Sequence, residues 1–255
     1  MRWDPAQYNR YADERGRPFL DLLGRVGAQH PRRVVDVGCG PGTLTALLPP
    51  RWPAAVVEGL DSSPEMIASA EALSGPRLSF RVADAASWEV PADTDVIVSN
   101  ALLQWVPGHL DLLRAWATML PADGWLAAQV PGNFESPSHV LMRELASSPR
   151  WAAALEGVLR HQNVADPQTY AALLLDAGLV ADVWDTTYLH VLHGPDPVLE
   201  WLRGTGLRPV LAALSPADGA EFEQAFAAEL RQAYPATEHG TLLPFRRIFL
   251  VGHRA

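Results

Sequence analysis

Lysine is absent from this 255-residue chain, and cysteine occurs once, at Cys39. One thiol excludes an internal disulfide and a thiolate metal cluster, and inside a glycine-rich loop it reads as a small packing residue rather than a nucleophile. Positive charge is the minority: 20 arginines stand against 29 Asp and Glu, leaving a formal net charge of −9 and a pI near 5.3. A surface of that sign gives no electrostatic grip on nucleic acid or anionic lipid, both of which need clustered cations. No uninterrupted apolar stretch reaches ~18 residues, and Met1-Arg2-Trp3-Asp4-Pro5 has no apolar signal core. The expectation is a cytoplasmic protein with neither a membrane nor a nucleic-acid partner. No metal-ligand spacing is apparent either, and His190 and His193, within one strand, read as packing or surface residues.

What is present describes an ordinary globular chain, 48% hydrophobic and 19% charged with mean hydropathy near zero, long enough to bury a substantial core. Basic residues that are all arginine leave bidentate recognition of carboxylates open. Apolar strands are expected at 33–37, 56–60, 78–82, 95–100 and 125–130. Helices are expected at 43–50, from Pro64 to about Leu73, and at 107–120. Five such alternations predict a doubly wound, mostly parallel α/β sheet. Beyond Pro131 the rhythm breaks. Helices are expected near 137–147, 149–161, 167–177, 195–213 and 215–232, with strands near 182–192 and 245–253. One or two amphipathic helices are expected at 5–29. The reading is one domain over 1–255, in which residues 1–29, 132–178 and 194–232 contribute a helical cap.

The most informative stretch is Val34-Val35-Asp36-Val37-Gly38-Cys39-Gly40-Pro41-Gly42-Thr43. An apolar strand empties into a turn where three residues lack Cβ atoms, so the backbone can bend tightly and a ligand can lie against it. A helix opening beyond the turn would add partial positive charge. A dinucleotide fingerprint spaces its glycines as G-x-G-x-x-G over a pyrophosphate, whereas here they fall at 38, 40 and 42 behind an acid, Asp36. This form resembles the first motif of class I S-adenosylmethionine-dependent methyltransferases, which implies a Rossmann-like seven-stranded sheet. That cofactor offers an ammonium, a carboxylate and a sulfonium, and Asp36 suits its cationic amino-acid end.

Ligands of open α/β sheets bind beyond the carboxyl ends of the strands. Polar residues fall there on four strands. Besides Asp36 with Gly38, Gly40 and Gly42, Asp61 follows Gly42 by 19 residues, a spacing suited to ribose hydroxyls, with Ser62 beside it. Asp84, ending the third strand, is placed to accept from an adenine amino group, with the Ala85 N–H adjacent. Asn100 would set its backbone carbonyl near the methionine part, and Trp105 could flank the donor. Each strand-end Asp alone is equally a helix cap or a solvated turn. Four at corresponding positions are harder to assign to chance.

These residues also resemble a narrower family, the trans-aconitate 2-methyltransferases, along nearly the whole chain. The resemblance runs through Trp3-Asp4-Pro5-x-x-Tyr8, the loop at 34–42, Asp61-Ser62-Ser63-Pro64-Glu65-Met66 and Ser99-Asn100-Ala101-x-x-Gln104-Trp105. It continues through Trp184-x-Thr186-x-Tyr188 and the more particular Glu200-Trp201-Leu202-Arg203-Gly204-Thr205-Gly206-Leu207-Arg208-Pro209. It implies methyl transfer from S-adenosylmethionine to a carboxylate of trans-aconitate, giving a monomethyl ester and S-adenosylhomocysteine. Catalysis would be by positioning alone, with no catalytic base, since the attacking carboxylate is already ionised. On this reading a small polyanion needs local cations and donors. Trp201, Arg203, Thr205 and Arg208 are the first acceptor-site candidates, with Tyr8, Tyr188, His190 and Arg246 behind them. Trp3 and Tyr11 are candidates to shield the adenosine. Methylation of a malonyl group on a carrier protein, a nicotinamide oxidoreductase and a cofactor sensor without turnover stand as alternatives. The glycine spacing and the want of lysine disfavour the oxidoreductase.

Overall fold

The computed structural model describes residues 12–159 and 164–255, so Trp3, Tyr8 and Tyr11 lie outside the described residues. Two compact units divide the described residues, one drawn from 12–131, 164–185 and 247–255, the other from 132–159 and 186–246.

In the first unit, α1 (Ala12–Leu23) precedes β1 (Arg33–Val37), and α2 (Leu48–Arg51) precedes β2 (Val56–Asp61). Next come α3 (Pro64–Ala70), β3 (Leu78–Val82), β4 (Thr94–Asn100), α4 (His109–Met119) and β5 (Trp125–Pro131). Beyond β5 the chain forms α5 (Pro137–Ala146), α6 (Pro167–Asp176), β6 (Val180–Leu192), α7 (Pro197–Arg203), α8 (Arg208–Ala213), α9 (Pro216–Ala233), β7 (Ala236–Thr237) and β8 (Gly240–His253).

Seven strands lie on one path, ordered β3-β2-β1-β4-β5-β8-β6, and the two-residue β7 pairs beside β8. β1 to β5 run parallel, and β8 returns antiparallel against β5. The order reverses between β1 and β4, the switch point at which such sheets hold ligands. Strand side chains alternate between faces. Val35, Val37, Ile97, Leu126, Ala128, Val130, Ile248 and Leu250 therefore share one face, packed with Trp116, Leu113 and Tyr170 into a continuous core. The opposite face carries Asp36, whose register partner is Val98.

Three expected helices come out differently. In place of a helix over 43–50 there is a 3-10 turn, Thr45–Leu47, and then the four-residue α2. Pro49 and Pro50 lack N–H groups and fit only an opening turn. The dipole expected behind the glycine loop is therefore weak. Residues 149–159 form turns; buried Trp151 and Leu155 mimic helical spacing there. The segment expected at 195–213 splits into α7 and α8, because Leu207 N–H reaches back to the Leu202 carbonyl at 3.0 Å and closes the Gly204-Thr205-Gly206 turn.

Candidate active site

β1 carries Asp36 to the sheet edge, and the chain then turns within hydrogen-bonding reach of β2. Gly38 N and Cys39 N both donate to the Leu60 carbonyl, at 2.7 and 2.9 Å, and Gly42 N donates to the Cys39 carbonyl at 3.1 Å. Gly38, Gly40 and Gly42 have φ of +84°, +55° and +77°, a left-handed region that favours glycine. Their surroundings differ. A Cβ at Gly38 would lie 2.7 Å from Leu102 Cβ, and one at Gly42 2.7 Å from the Phe80 ring, so both are packing glycines. One at Gly40 would meet nothing within 4 Å.

Asp61 joins the loop to the next helix: its Oδ2 accepts from Gly40 N and its Oδ1 from Ser63 N, each at 2.9 Å. A carboxylate has about four lone-pair sites, so two remain for hydroxyl donors. Ser63, rather than Ser62, caps α3 by accepting from Met66 N, and Ser62 is exposed beside Asp61. The backbone carbonyl of Asp61 receives Ala83 N at 2.9 Å, tying the end of β3 to the same edge. Asp84 follows there, exposed, its Oδ1 accepting from Ala86 N at 3.0 Å, while Ala85 packs into the core.

Asp36, Gly38 and Asn100 line one cavity together with Phe19 of α1, Cys39, Pro41, Thr43 and Leu44. Asp36 is 2% exposed; Thr45 Oγ1 donates to its Oδ2 at 2.6 Å. Burial pushes its carboxyl up to about 7, with the neighbouring Asp61 acting in the same sense and the Thr45 hydroxyl opposing. Burial also raises the Cys39 thiol, so it is not a nucleophile at neutral pH. Asn100 Oδ1 is buried with no hydrogen-bond partner. Ala101 next to it holds φ +56°, strain of the kind that functional sites retain. Gln104 Nε2 donates to the Ala101 carbonyl at 2.6 Å and supports that turn. Glycine-lined open space, an anionic side chain and an orphaned acceptor fit an adenosylated amino acid with a cationic head.

The acceptor candidates within the described residues belong to the second unit. Trp201 is 1% exposed in α7, with its ring 4.8 Å from His190, which in turn stacks on buried Tyr188 at 6.3 Å. Thr205 Oγ1 donates to the Trp201 carbonyl at 3.3 Å, and Arg208 opens α8, half-buried. Arg203 is committed: Nε and Nη2 donate to Glu223 at 2.5 and 3.1 Å, and Nη1 pairs with Glu200. The structure thus joins Trp201, Tyr188 and Thr205 and directs Arg203 to neighbouring carboxylates.

Several buried polar residues escaped the sequence reading. Thr45 and Ser63 look like any helix-start hydroxyls. Gln129 and Arg247 had a usable signal, since each is a polar residue inside an apolar strand pattern.

Fold and site define a class I methyltransferase. The methyltransferase domain family matches residues 8–182. Among solved structures, the YcgJ protein of Bacillus subtilis superposes with a TM-score of 0.61 at 16% identity, covering 93% of this chain and 98% of that one. A geranyl diphosphate C-methyltransferase from Streptomyces coelicolor gives 0.55 at 15%, covering 98% and 82%. These likenesses establish the fold.

Sequence relatives narrow the assignment. A trans-aconitate 2-methyltransferase of Streptomyces avermitilis is 55% identical over 260 residues, spanning 99% of this chain and 97% of that protein. Its counterpart from Rhodococcus jostii is 53% identical over 252 residues, spanning 98% of each. The chain belongs to the trans-aconitate 2-methyltransferase family.

Proposed function

We propose that this protein, working in the cytoplasm, transfers the methyl group of S-adenosylmethionine to a carboxylate of trans-aconitate. The products are a monomethyl ester and S-adenosylhomocysteine. The observation that carries this reading is the full-length identity to relatives bearing that name, 55% across 97% of the first of them. When bound, the cofactor supplies an electrophilic methyl on a sulfonium.

The residues of the chain bind and orient. Asp36 faces the ammonium, the peptide groups of Gly38, Gly40 and Gly42 accommodate the methionine portion, and Asn100 offers its orphaned Oδ1 to an N–H. Asp61 takes ribose hydroxyls on its unused lone pairs, with Ser62 beside it. Asp84 and the Ala85 N–H take the adenine edge. On the acceptor, Arg208 grips a carboxylate, with Trp201, Tyr188, Thr205 and Tyr8 shaping the site, while Arg203 fixes the turn through Glu200 and Glu223.

A carboxylate with an ordinary pKa near ~4 is ionised at neutral pH and attacks without a base. Rate then comes from alignment: oxygen, methyl and sulfur held in line within about 3–3.5 Å convert an encounter into a unimolecular step. Titration calorimetry with S-adenosylmethionine, followed by turnover with and without trans-aconitate, tests the reading. Ester formation that requires both supports it. Donor binding with no ester from trans-aconitate sinks the acceptor assignment and sends the search to malonyl thioesters.

A further inference from the structure

The sheet face that bears Asp36 carries a polar row across four neighbouring strands. Asp36 pairs in register with Val98, two residues before Asn100. Asn100 pairs with Gln129, and Gln129 with Phe249, two residues beyond Arg247. Side chains at alternate positions share a face, so Asp36, Asn100, Gln129 and Arg247 stand on one side near the switch point. On the other side the buried positions of the same strands are apolar but for Ser99, whose hydroxyl donates to the Val37 carbonyl at 3.0 Å. Phe249 of this row is itself fixed, stacked 4.8 Å from Trp184 with the rings 5° from parallel.

Gln129 is fully buried and Arg247 is 5% exposed. Arg247 Nη1 donates to Gln129 Oε1 at 3.1 Å. A guanidinium only donates, so the carboxamide oxygen must face it and the amide nitrogen must face elsewhere. That nitrogen, Gln129 Nε2, is buried with no acceptor. Orphaned buried donors are uncommon and costly to keep. One whose orientation a neighbouring cation enforces is a natural socket for an anionic oxygen supplied by a ligand. Successive strands lie about 4.8 Å apart, which sets Gln129 roughly 10 Å from the Asp36 strand and one strand beyond Asn100.

Resting on the function proposed above, we infer that Gln129 Nε2 donates to a carboxylate of the acceptor. Arg247 is the positioning residue, holding the amide in the donating orientation. The donor's own carboxylate has the same chemistry, and the test separates the two.

Gln129→Glu keeps the shape and an oxygen for Arg247 but replaces the donor with a negative charge. The acceptor KM is expected to rise at least tenfold, with kcat at saturation changed less, S-adenosylhomocysteine affinity held within twofold and the melting temperature not lowered. Gln129→Asn withdraws the amide by one methylene and gives the same KM readout should the Glu variant fail to fold. For Arg247, Arg247→Met should raise the acceptor KM and Arg247→Lys should restore part of it, a rescue that a purely structural role would not show. An acceptor KM within twofold of wild type in the folded Gln129 variants overturns the inference. So does a loss confined to donor affinity, which would give the amide to the methionyl carboxylate. Wild-type protein that fails to methylate trans-aconitate overturns the parent reading instead, and this assignment with it.

Discussion

Asp36 couples the site to pH. Its carboxyl sits at about 7 because burial penalises the charge more than the Thr45 hydroxyl relieves it. Between the ordinary carboxylate range and about 7 the folded protein holds a proton that the unfolded chain has released. Stability attributable to this group therefore falls as pH rises through that window. A cationic ligand head favours the ionised form, so donor binding should release a proton below pH 7, with affinity climbing up to tenfold per pH unit. Calorimetry from pH 5.5 to 8 in two buffers of different ionisation enthalpy checks this, and Asp36→Asn should flatten the profile. A flat profile in the wild-type protein would remove Asp36 from the donor site.

The three loop glycines separate stability from binding at the same scale. Gly42→Ala sets a Cβ 2.7 Å from Phe80 at a φ of +77°, and should cost about 2–3 kcal/mol of fold stability. Gly40→Ala meets nothing within 4 Å. Its left-handed backbone should cost only about 1–2 kcal/mol, while a methyl projecting into the cradle lowers donor affinity about tenfold. Thermal melts beside titrations distinguish the two variants.

At the scale of elements, the turn between α7 and α8 assigns different work to its two arginines. Arg203, gripped by Glu223 and Glu200, holds α7 to α9. Arg203→Ala should lose about 1 kcal/mol, or roughly 2–4 °C in Tm, with little effect on the acceptor KM. Arg208→Ala should raise the acceptor KM. If both variants moved KM equally, the ion pairs of Arg203 would be incidental to its role. The intervening Gly206 is held close, since a Cβ there would lie 3.3 Å from His139 Nε2. Burial lowers the pKa of that histidine to about 4, so it stays neutral and can pack against the turn and the Phe134 ring.

For the whole molecule, ligand that binds only the folded state stabilises by mass action. S-adenosylhomocysteine at one hundred times its Kd should add about 2.7 kcal/mol, about 5–10 °C in Tm for a chain of this size. Differential scanning fluorimetry across ligand concentrations reads it directly, and an unchanged Tm at saturating ligand would contradict the donor assignment. The net charge of −9 acts on this scale too: it repels a polyanionic acceptor at a distance, so recognition depends on a few local donors and arginine forks. Among the described residues no helix is long and apolar enough to cross a membrane.

The sequence by itself determined whatever is written in short-range pattern. Alternating strands and helices imposed the parallel sheet, the glycines at 38, 40 and 42 imposed the turn, and Asp61, Asp84 and Asn100 followed their strands to one edge. Each depends only on residues a few places away. Prolines at 49 and 50 were equally visible, yet the helical reading across them gave way to a 3-10 turn because backbone donors were missing. Tertiary structure alone decided which distant groups meet. Arg247 reaches Gln129 across 118 positions, Asp61 reaches Gly40 across 21, and Glu223 takes Arg203 across 20. Such encounters depend on strand register and helix packing, where a shift of one residue turns a side chain to the opposite face, and no local periodicity records that choice.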